Sequence, residues 1–238
     1  AWYSRYIDRL YLPSMRMGAH VPGFPEERMA PLPPGCEIID EAPSSRADGE
    51  LHLLYIGGLG GHYRLQECLR AVVDVPGTSL TICTRPDQWE AAGDQYADLV
   101  EAAGGRIEVV HRSGEELSAL YERADLCVLF VEPDPYREFA SPVKLYEYLG
   151  RGKPVIASQG TLAAEVVGAA GAGWTLPYDA GELSGLLRGL LERPQEVAEA
   201  AGRARQARQE CRGPLRVPHS EPAQARTHQR HQWTLRNC

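Results

Sequence analysis

The sequence predicts a doubly wound α/β fold, a parallel sheet with helices on both faces. From Glu50 onward, short apolar runs bounded by Gly or Pro alternate with amphipathic stretches of helical length. That alternation is the pattern of strands joined by crossover helices. Runs such as 51–56 and 126–131 are apolar on successive residues, as expected of strands buried on both faces. Right-handed crossovers then place helices on both sides of the sheet, with ligands in the crevice beyond the carboxyl ends of its strands.

In chain order, residues 1–14 read as a short helix and then a strand at 9–12, stopped by Pro13-Ser14. Pro22, Pro25, Pro31, Pro33, Pro34 and Pro43 make 21–49 an extended connection, with a turn at Leu32-Pro33-Pro34-Gly35 and a boundary near 44–49. Strand 51–56 runs into Gly57-Gly58-Leu59-Gly60-Gly61, and the helix over 63–73 turns Leu65, Leu69 and Val72 inward. Strand 79–83, helix 87–103, strand 106–110, helix 114–121 and strand 126–131 follow. A final strand at 173–176 precedes helices at 180–191 and 194–208, and beyond Arg212 all periodicity is lost. The predicted organisation is therefore a connecting segment 1–47, a ligand-binding domain 48–210 and a disordered tail 211–238.

Residues 139–158, F-A-S-P-V-K-L-Y-E-Y-L-G-R-G-K-P-V-I-A-S, form the central loop, helix and strand. Ser141 suits the N-cap and Pro142 the first helical position. Val143, Tyr146 and Leu149 share a stripe that would face the sheet, and Gly150 and Gly152 end the helix. Lys144 stands in the first turn, where free N–H groups and the helix dipole already make the environment positive. A cation there is unfavourable unless an anion joins it, and a phosphate would find a ready site. Glu147, one turn deeper, could accept hydrogen bonds from a diol such as a ribose. The competing reading is a solvated Lys144–Glu147 pair contributing about 0.2–0.5 kcal/mol. The chain uses 23 Arg but only two Lys, Lys144 and Lys153, both in this segment. Lys, a compact and mobile charge, is not interchangeable with Arg at a phosphate.

The 238 residues are 43% hydrophobic and 24% charged, ordinary for a globular protein. No apolar run is long enough for a transmembrane helix, and the first residues lack the apolar core of a signal peptide. Six cysteines show no metal-ligand spacing and suit a reducing cytoplasm. The net charge of −7 conceals a basic end: residues 203–238 hold eight Arg against Glu210 and Glu221. The acidic body argues against nucleic acid as a partner, and the tail is a candidate for peripheral membrane contact.

At the predicted strand ends, the glycine turn fails G-x-G-x-x-G because Tyr63 stands at its third glycine, and Thr84-Arg85 supplies no acid for a ribose. A dehydrogenase is thereby disfavoured, and no P-loop motif is present. Arg85, His111 and His62 are candidates to face a phosphorylated ligand, while Glu132, Asp134 and Glu138 could meet sugar hydroxyls or form a solvated loop. No nucleophile–base or metal constellation assembles.

The segment S-P-V-K-L-Y-E-Y-L-G-R-G-K-P-V-I-A-S resembles the donor-binding segment of GT-B type retaining glycosyltransferases (family 4-like, glycosyl transferases group 1). L-P-P-G-C-E at 32–37 resembles that family's interdomain segment, and L-L-Y-I-G-G-L its first strand and glycine turn. Glu116-Leu117 through Tyr121, Ala124, Asp125 and Val128 resembles the stretch before the donor loop, and G-A-G-W-T-L-P-Y-D the closing strand. The resemblance spans residues 9–205. It implies a Rossmann-like donor half of a GT-B fold that moves a sugar from a nucleoside diphosphate sugar to a hydroxyl acceptor, with no essential metal. The N–H groups of Val143 and Lys144, beside Ser141 and Pro142, would hold the diphosphate. Gly57 and Gly58 would lie under the phosphates, His111 beside the base, and Glu147 at the ribose. Lys144 would stabilise the leaving group, and Glu138 is the candidate first acid of the family's glutamate pair. That pair normally encloses seven residues; here Glu138 and Glu147 enclose eight, and Phe139 stands at the family's position. The resemblance makes residues 1–47 a remnant of the family's N-terminal domain with the interdomain linker, and an acceptor-binding domain on a separate protein is an expected partner. Two alternatives are a nucleotide-sugar epimerase of the same build and a non-catalytic nucleotide-binding or scaffolding subunit.

Overall fold

The computed structural model describes residues 3–39, 49–61 and 63–210. The boundary at 44–48, His62 and the tail 211–238 lie outside the described residues.

Two short strands, β1 (Leu10–Leu12) and β2 (Met29–Pro31), pair in parallel ahead of the main sheet. Only the first is apparent in the sequence; β2 lies in the stretch read as an extended connection. Between them run 3-10 turns at Met15–His20 and Glu26–Arg28. The main sheet contains β3 (Leu51–Ile56), β4 (Thr78–Cys83), β5 (Ile107–Val110), β6 (Leu126–Leu129), β7 (Val155–Ser158) and β8 (Gly173–Leu176). All pair in parallel in the order β5-β4-β3-β6-β7-β8. The strand order reverses between β3 and β6, and the crevice opens at that switch point.

Alternate residues of β3 supply two cores. Leu51, Leu53 and Tyr55 pack with Leu69 and Val72 of α1 (Gln66–Asp74) and with Leu183, Leu187 and Leu190 of α7 (Ala180–Glu192). Leu54 and Ile56 pack with Leu145, Tyr148 and Leu149 of α5 (Val143–Gly150) and with Ala163 and Val167 of α6 (Leu162–Ala170). The period of two thus produces the doubly wound Rossmann-like layering that the sequence predicts.

Several elements differ from the sequence prediction. The helix expected over 87–103 is broken into α2 (Pro86–Ala92), a 3-10 turn at Gly93–Gln95 and α3 (Ala97–Ala102). A Cβ on Gly93 would fall 2.9 Å from the Trp89 ring, so the chain turns where the side chain vanishes. Helix 114–121 becomes a 3-10 turn at Gly114–Glu116 and α4 (Leu117–Arg123). Helix α6 was not anticipated, although Thr161 caps its start and Gly171, at φ 59°, its end. On α5 the buried face carries Leu145, Tyr146, Tyr148 and Leu149, whereas Val143 is exposed. Helix α8 (Pro194–Glu210) lies across α5, and Arg208 Nη1 donates to the carbonyl of Ile39 (3.3 Å).

Lys153 has no place at the crevice. It is 5% exposed and donates to the Ala124 carbonyl at 2.8 Å, just before β6 begins. The shared segment of the two lysines therefore reflects one structural and one crevice residue.

Candidate functional site

A cavity of about 320 Å³ opens at the carboxyl ends of β3 and β6, lined by Tyr55 and Ile56 of β3 with Gly57 and Gly58 after it, and by Leu129 of β6 with Val131 after it. The loop before α5 contributes Tyr136, Arg137 and Ala140, and the helix start contributes Ser141, Pro142, Val143 and Lys144. Tyr63, Thr161 and Ala163 complete the wall. Among the described residues, two cations and no carboxylate line it.

The start of α5 is arranged differently from the prediction. Pro142, extended at φ −72° and ψ 125°, occupies the N-cap position, and no side chain caps the helix. Ser141 is one residue too far out; its hydroxyl donates to Tyr146 Oη at 3.0 Å. The first turn also carries no acidic residue. An uncapped helix end with a positive dipole therefore borders the cavity. Lys144 Nζ lies 2.5 Å from Glu147 Oε2, with the two side chains 31% and 35% exposed. An ammonium has three donors, so the pair leaves Lys144 capacity for an anion.

The glycine turn is held from below. Tyr55 Oη donates to the Gly58 carbonyl at 2.7 Å, and the Leu59 N–H donates to Gln88 Oε1 at 3.1 Å. Burial pushes the Tyr55 hydroxyl far above the ordinary phenol range, and the Arg137 charge offsets only part of that. The ring therefore stays a neutral donor at all working pH values.

Of the sequence-predicted site residues, Gly57, Gly58, Ser141, Pro142, Val143 and Lys144 meet at the cavity. Glu147 reaches it through Lys144. Arg85 does not line it; its guanidinium pairs with Asp87 at 2.5 Å and is 70% exposed. Nor does His111, which is exposed and whose Nδ1 donates to the Thr84 carbonyl at 2.8 Å. Glu138 is exposed and outside the lining; its backbone carbonyl accepts from Arg16 Nη1 at 3.1 Å. Phe139 packs at 4.2 Å from the His20 ring and 5.5 Å from Tyr136. Glu132 pairs with Arg64 at 2.9 Å, and Asp134 accepts from the Arg137 N–H at 3.0 Å. The sequence reading missed Arg137, for which no local signal existed. Among the described residues no cluster of acids, His or Cys could hold a metal ion, and no helix is long and apolar enough to cross a membrane.

Comparison with known proteins agrees with this architecture. No curated protein sequence matches significantly. Among solved structures, the chain is similar to sucrose-phosphate synthase from Thermosynechococcus elongatus (TM-score 0.68, 19% identity), covering 87% of this chain and 56% of that one. It is similar to HepE from Anabaena in complex with UDP (TM-score 0.71, 15% identity), covering 87% and 60%. It is also similar to WaaG, a glycosyltransferase involved in lipopolysaccharide biosynthesis (TM-score 0.64, 21% identity), covering 84% and 58%. The chain thus spans under two thirds of the length of each of these three proteins. The model of one family, glycosyl transferases group 1, matches residues 47–193, which carry the glycine turn, α5 and the cavity between them. With that match over more than half its length, and a parallel sheet layered as in the GT-B enzymes, the chain belongs to the glycosyl transferases group 1 family.

Proposed function

We propose that the cavity binds the diphosphate of a nucleoside diphosphate sugar, and that the protein takes part in moving that sugar to a hydroxyl acceptor. The observation that carries this reading is the uncapped start of α5, with Lys144 in its first turn, bordering a cavity that no carboxylate of the described residues lines. Backbone N–H groups at Val143 and Lys144 would donate to the phosphate oxygens, and the glycine turn would let the phosphates approach the backbone closely. Lys144 and the helix dipole would stabilise the charge that grows on the leaving diphosphate as the glycosidic bond breaks. Glu147, one turn along and paired with Lys144, would accept from ribose hydroxyls. The scheme needs no metal, so transfer is expected to persist in EDTA. This scheme makes no use of Glu138, whose side chain is exposed outside the cavity. The binding of UDP by HepE supports a nucleotide-sugar enzyme, and the thiols of Cys68 and Cys83 suit a reducing cytoplasm. The sugar would be a hexose, with acceptor-binding groups supplied by further protein.

Titration calorimetry of UDP and GDP into the chain and into its Lys144→Ala variant tests the reading. Loss of a charge-assisted contact is expected to raise Kd about tenfold or more. The ion pair with Glu147 is worth only about 0.2–0.5 kcal/mol, so the melting temperature should barely move. Failure of either nucleotide to bind, or unchanged affinity in the variant, would overturn the assignment. Binding without transfer, given acceptors and the missing groups, would favour a non-catalytic subunit.

A further inference from the structure

Strand β3 runs past the point where it pairs with β6. The two are in register at Leu53 with Leu126 and at Leu54 with Cys127, whereas β3 continues to Ile56 and β6 to Leu129. Alternate residues of an inner strand bond to opposite neighbours. The Gly57 N–H donates to the Cys83 carbonyl of β4 at 3.0 Å, and the His52 carbonyl accepts from the Asp125 N–H, just before β6, at 2.9 Å. The main-chain groups of Ile56 therefore point to the β6 side, where the crevice has opened. A side chain meets them there. Tyr148 Oη accepts from the Ile56 N–H at 2.9 Å and donates to the Ile56 carbonyl at 3.4 Å. Tyr148 is fully buried, its ring edge-on to that of Tyr121 with 6.0 Å between centres. Burial pushes its hydroxyl well above the ordinary phenol range, so it stays neutral and can both donate and accept.

Ile56 directly precedes Gly57-Gly58, and Tyr148 stands four residues, about one turn, after Lys144 on α5. One hydroxyl thus connects two walls of the cavity, the glycine turn and the helix that carries Lys144. It supplies the rung that β6 no longer provides, so the crevice opens without stranding buried main-chain groups. We propose that Tyr148 is a positioning residue for the bound nucleotide, its hydroxyl setting the separation of the glycine turn from the start of α5. The inference rests on the diphosphate reading above and adds to it the group that fixes the width of the site from behind.

The test compares the full chain with Tyr148→Phe, which keeps the ring and removes the hydroxyl. Thr78→Val is the reference: it removes another buried hydroxyl, bonded to the Val75 carbonyl at 2.7 Å, at the amino end of β4 and so at the far end of the sheet. Both variants are expected to lower the melting temperature, by about 2–8 °C. Tyr148→Phe alone is expected to speed amide hydrogen exchange at Ile56 and Gly57 about tenfold or more, since the Ile56 groups lose their partner. It should also raise Kd for UDP about threefold to tenfold, while Thr78→Val stays within about twofold of wild type. Unchanged exchange at Ile56 in Tyr148→Phe would overturn the inference. So would unchanged UDP affinity beside a lowered melting temperature, because the hydroxyl would then serve the fold alone. Equal weakening of UDP in both variants would also overturn it, since affinity would then follow stability. In each of these cases wild type still binds UDP and the site stands. A wild-type chain that binds neither UDP nor GDP would sink the diphosphate reading and the positioning role together.

Discussion

Gly57 has a neighbour where a side chain would go. A Cβ built on it would lie 2.7 Å from Tyr55 Oη, the hydroxyl that donates to the Gly58 carbonyl. Gly57→Ala should push the phenol aside and strand both partners of that bond, costing about 1–3 kcal/mol. Tyr55→Phe removes the donor and leaves the space, so it should cost less, about 1 kcal/mol, and leave the turn in place. Denaturant melts of the two variants, with UDP titrations beside them, separate the requirement for room from the requirement for the bond. If Gly57→Ala matched wild type in both, the close approach would have no consequence. Single residues were legible where local chemistry fixes their role: Lys144, one residue after the first turn begins, and the glycines after β3. They were illegible where a distant partner does. Arg137 acquires its setting from Tyr63, and Arg85 and His111 lose theirs to Asp87 and Thr84.

At the scale of elements, the loop between β6 and α5 is held largely from outside. Arg16 donates to the Glu138 carbonyl at 3.1 Å and pairs with Glu165 of α6 at 2.6 Å, while His20 packs on Phe139. Both members of the Arg16–Glu165 pair have half-exposed side chains, so the pair itself is worth about 0–1 kcal/mol. Its effect should be local. Arg16→Ala is expected to speed amide hydrogen exchange over 134–141 with little change in global stability, since such loops open independently of the core. Exchange confined to wild-type rates in that loop would show that Phe139 and Asp134 hold it alone. The strands were readable in the sequence because their residues are apolar on both faces, and β3 matches its predicted range. The pairing of β1 with β2 was not, because a parallel bridge across 3-10 turns leaves no periodic trace in a proline-rich stretch. Helix α6 had both of its caps in view; its run of Ala, Val and Gly lacks the polar face that marks an amphipathic helix.

For the molecule as a whole, the strand order places the cavity at the one reversal in the main sheet, between β3 and β6, where segments from both halves meet. A ligand seated there touches the glycine turn, the loop before α5 and the start of α6, so its binding energy opposes global unfolding. A ligand that binds only the folded chain stabilises it by RT ln(1 + [L]/Kd), about 2.7 kcal/mol at a hundred times Kd. For a chain of this size each kcal/mol moves the melting temperature by about 2–4 °C, so UDP at that excess should raise it by roughly 5–10 °C. Lys144→Ala at the same UDP concentration, with Kd about tenfold higher, retains about 1.4 kcal/mol and hence roughly half the shift. Uridine, which offers the same base and ribose without phosphate, should produce little. A rise with uridine equal to that with UDP would place the stabilising contacts on the nucleoside, and the charge at the start of α5 would then have no ligand to answer it.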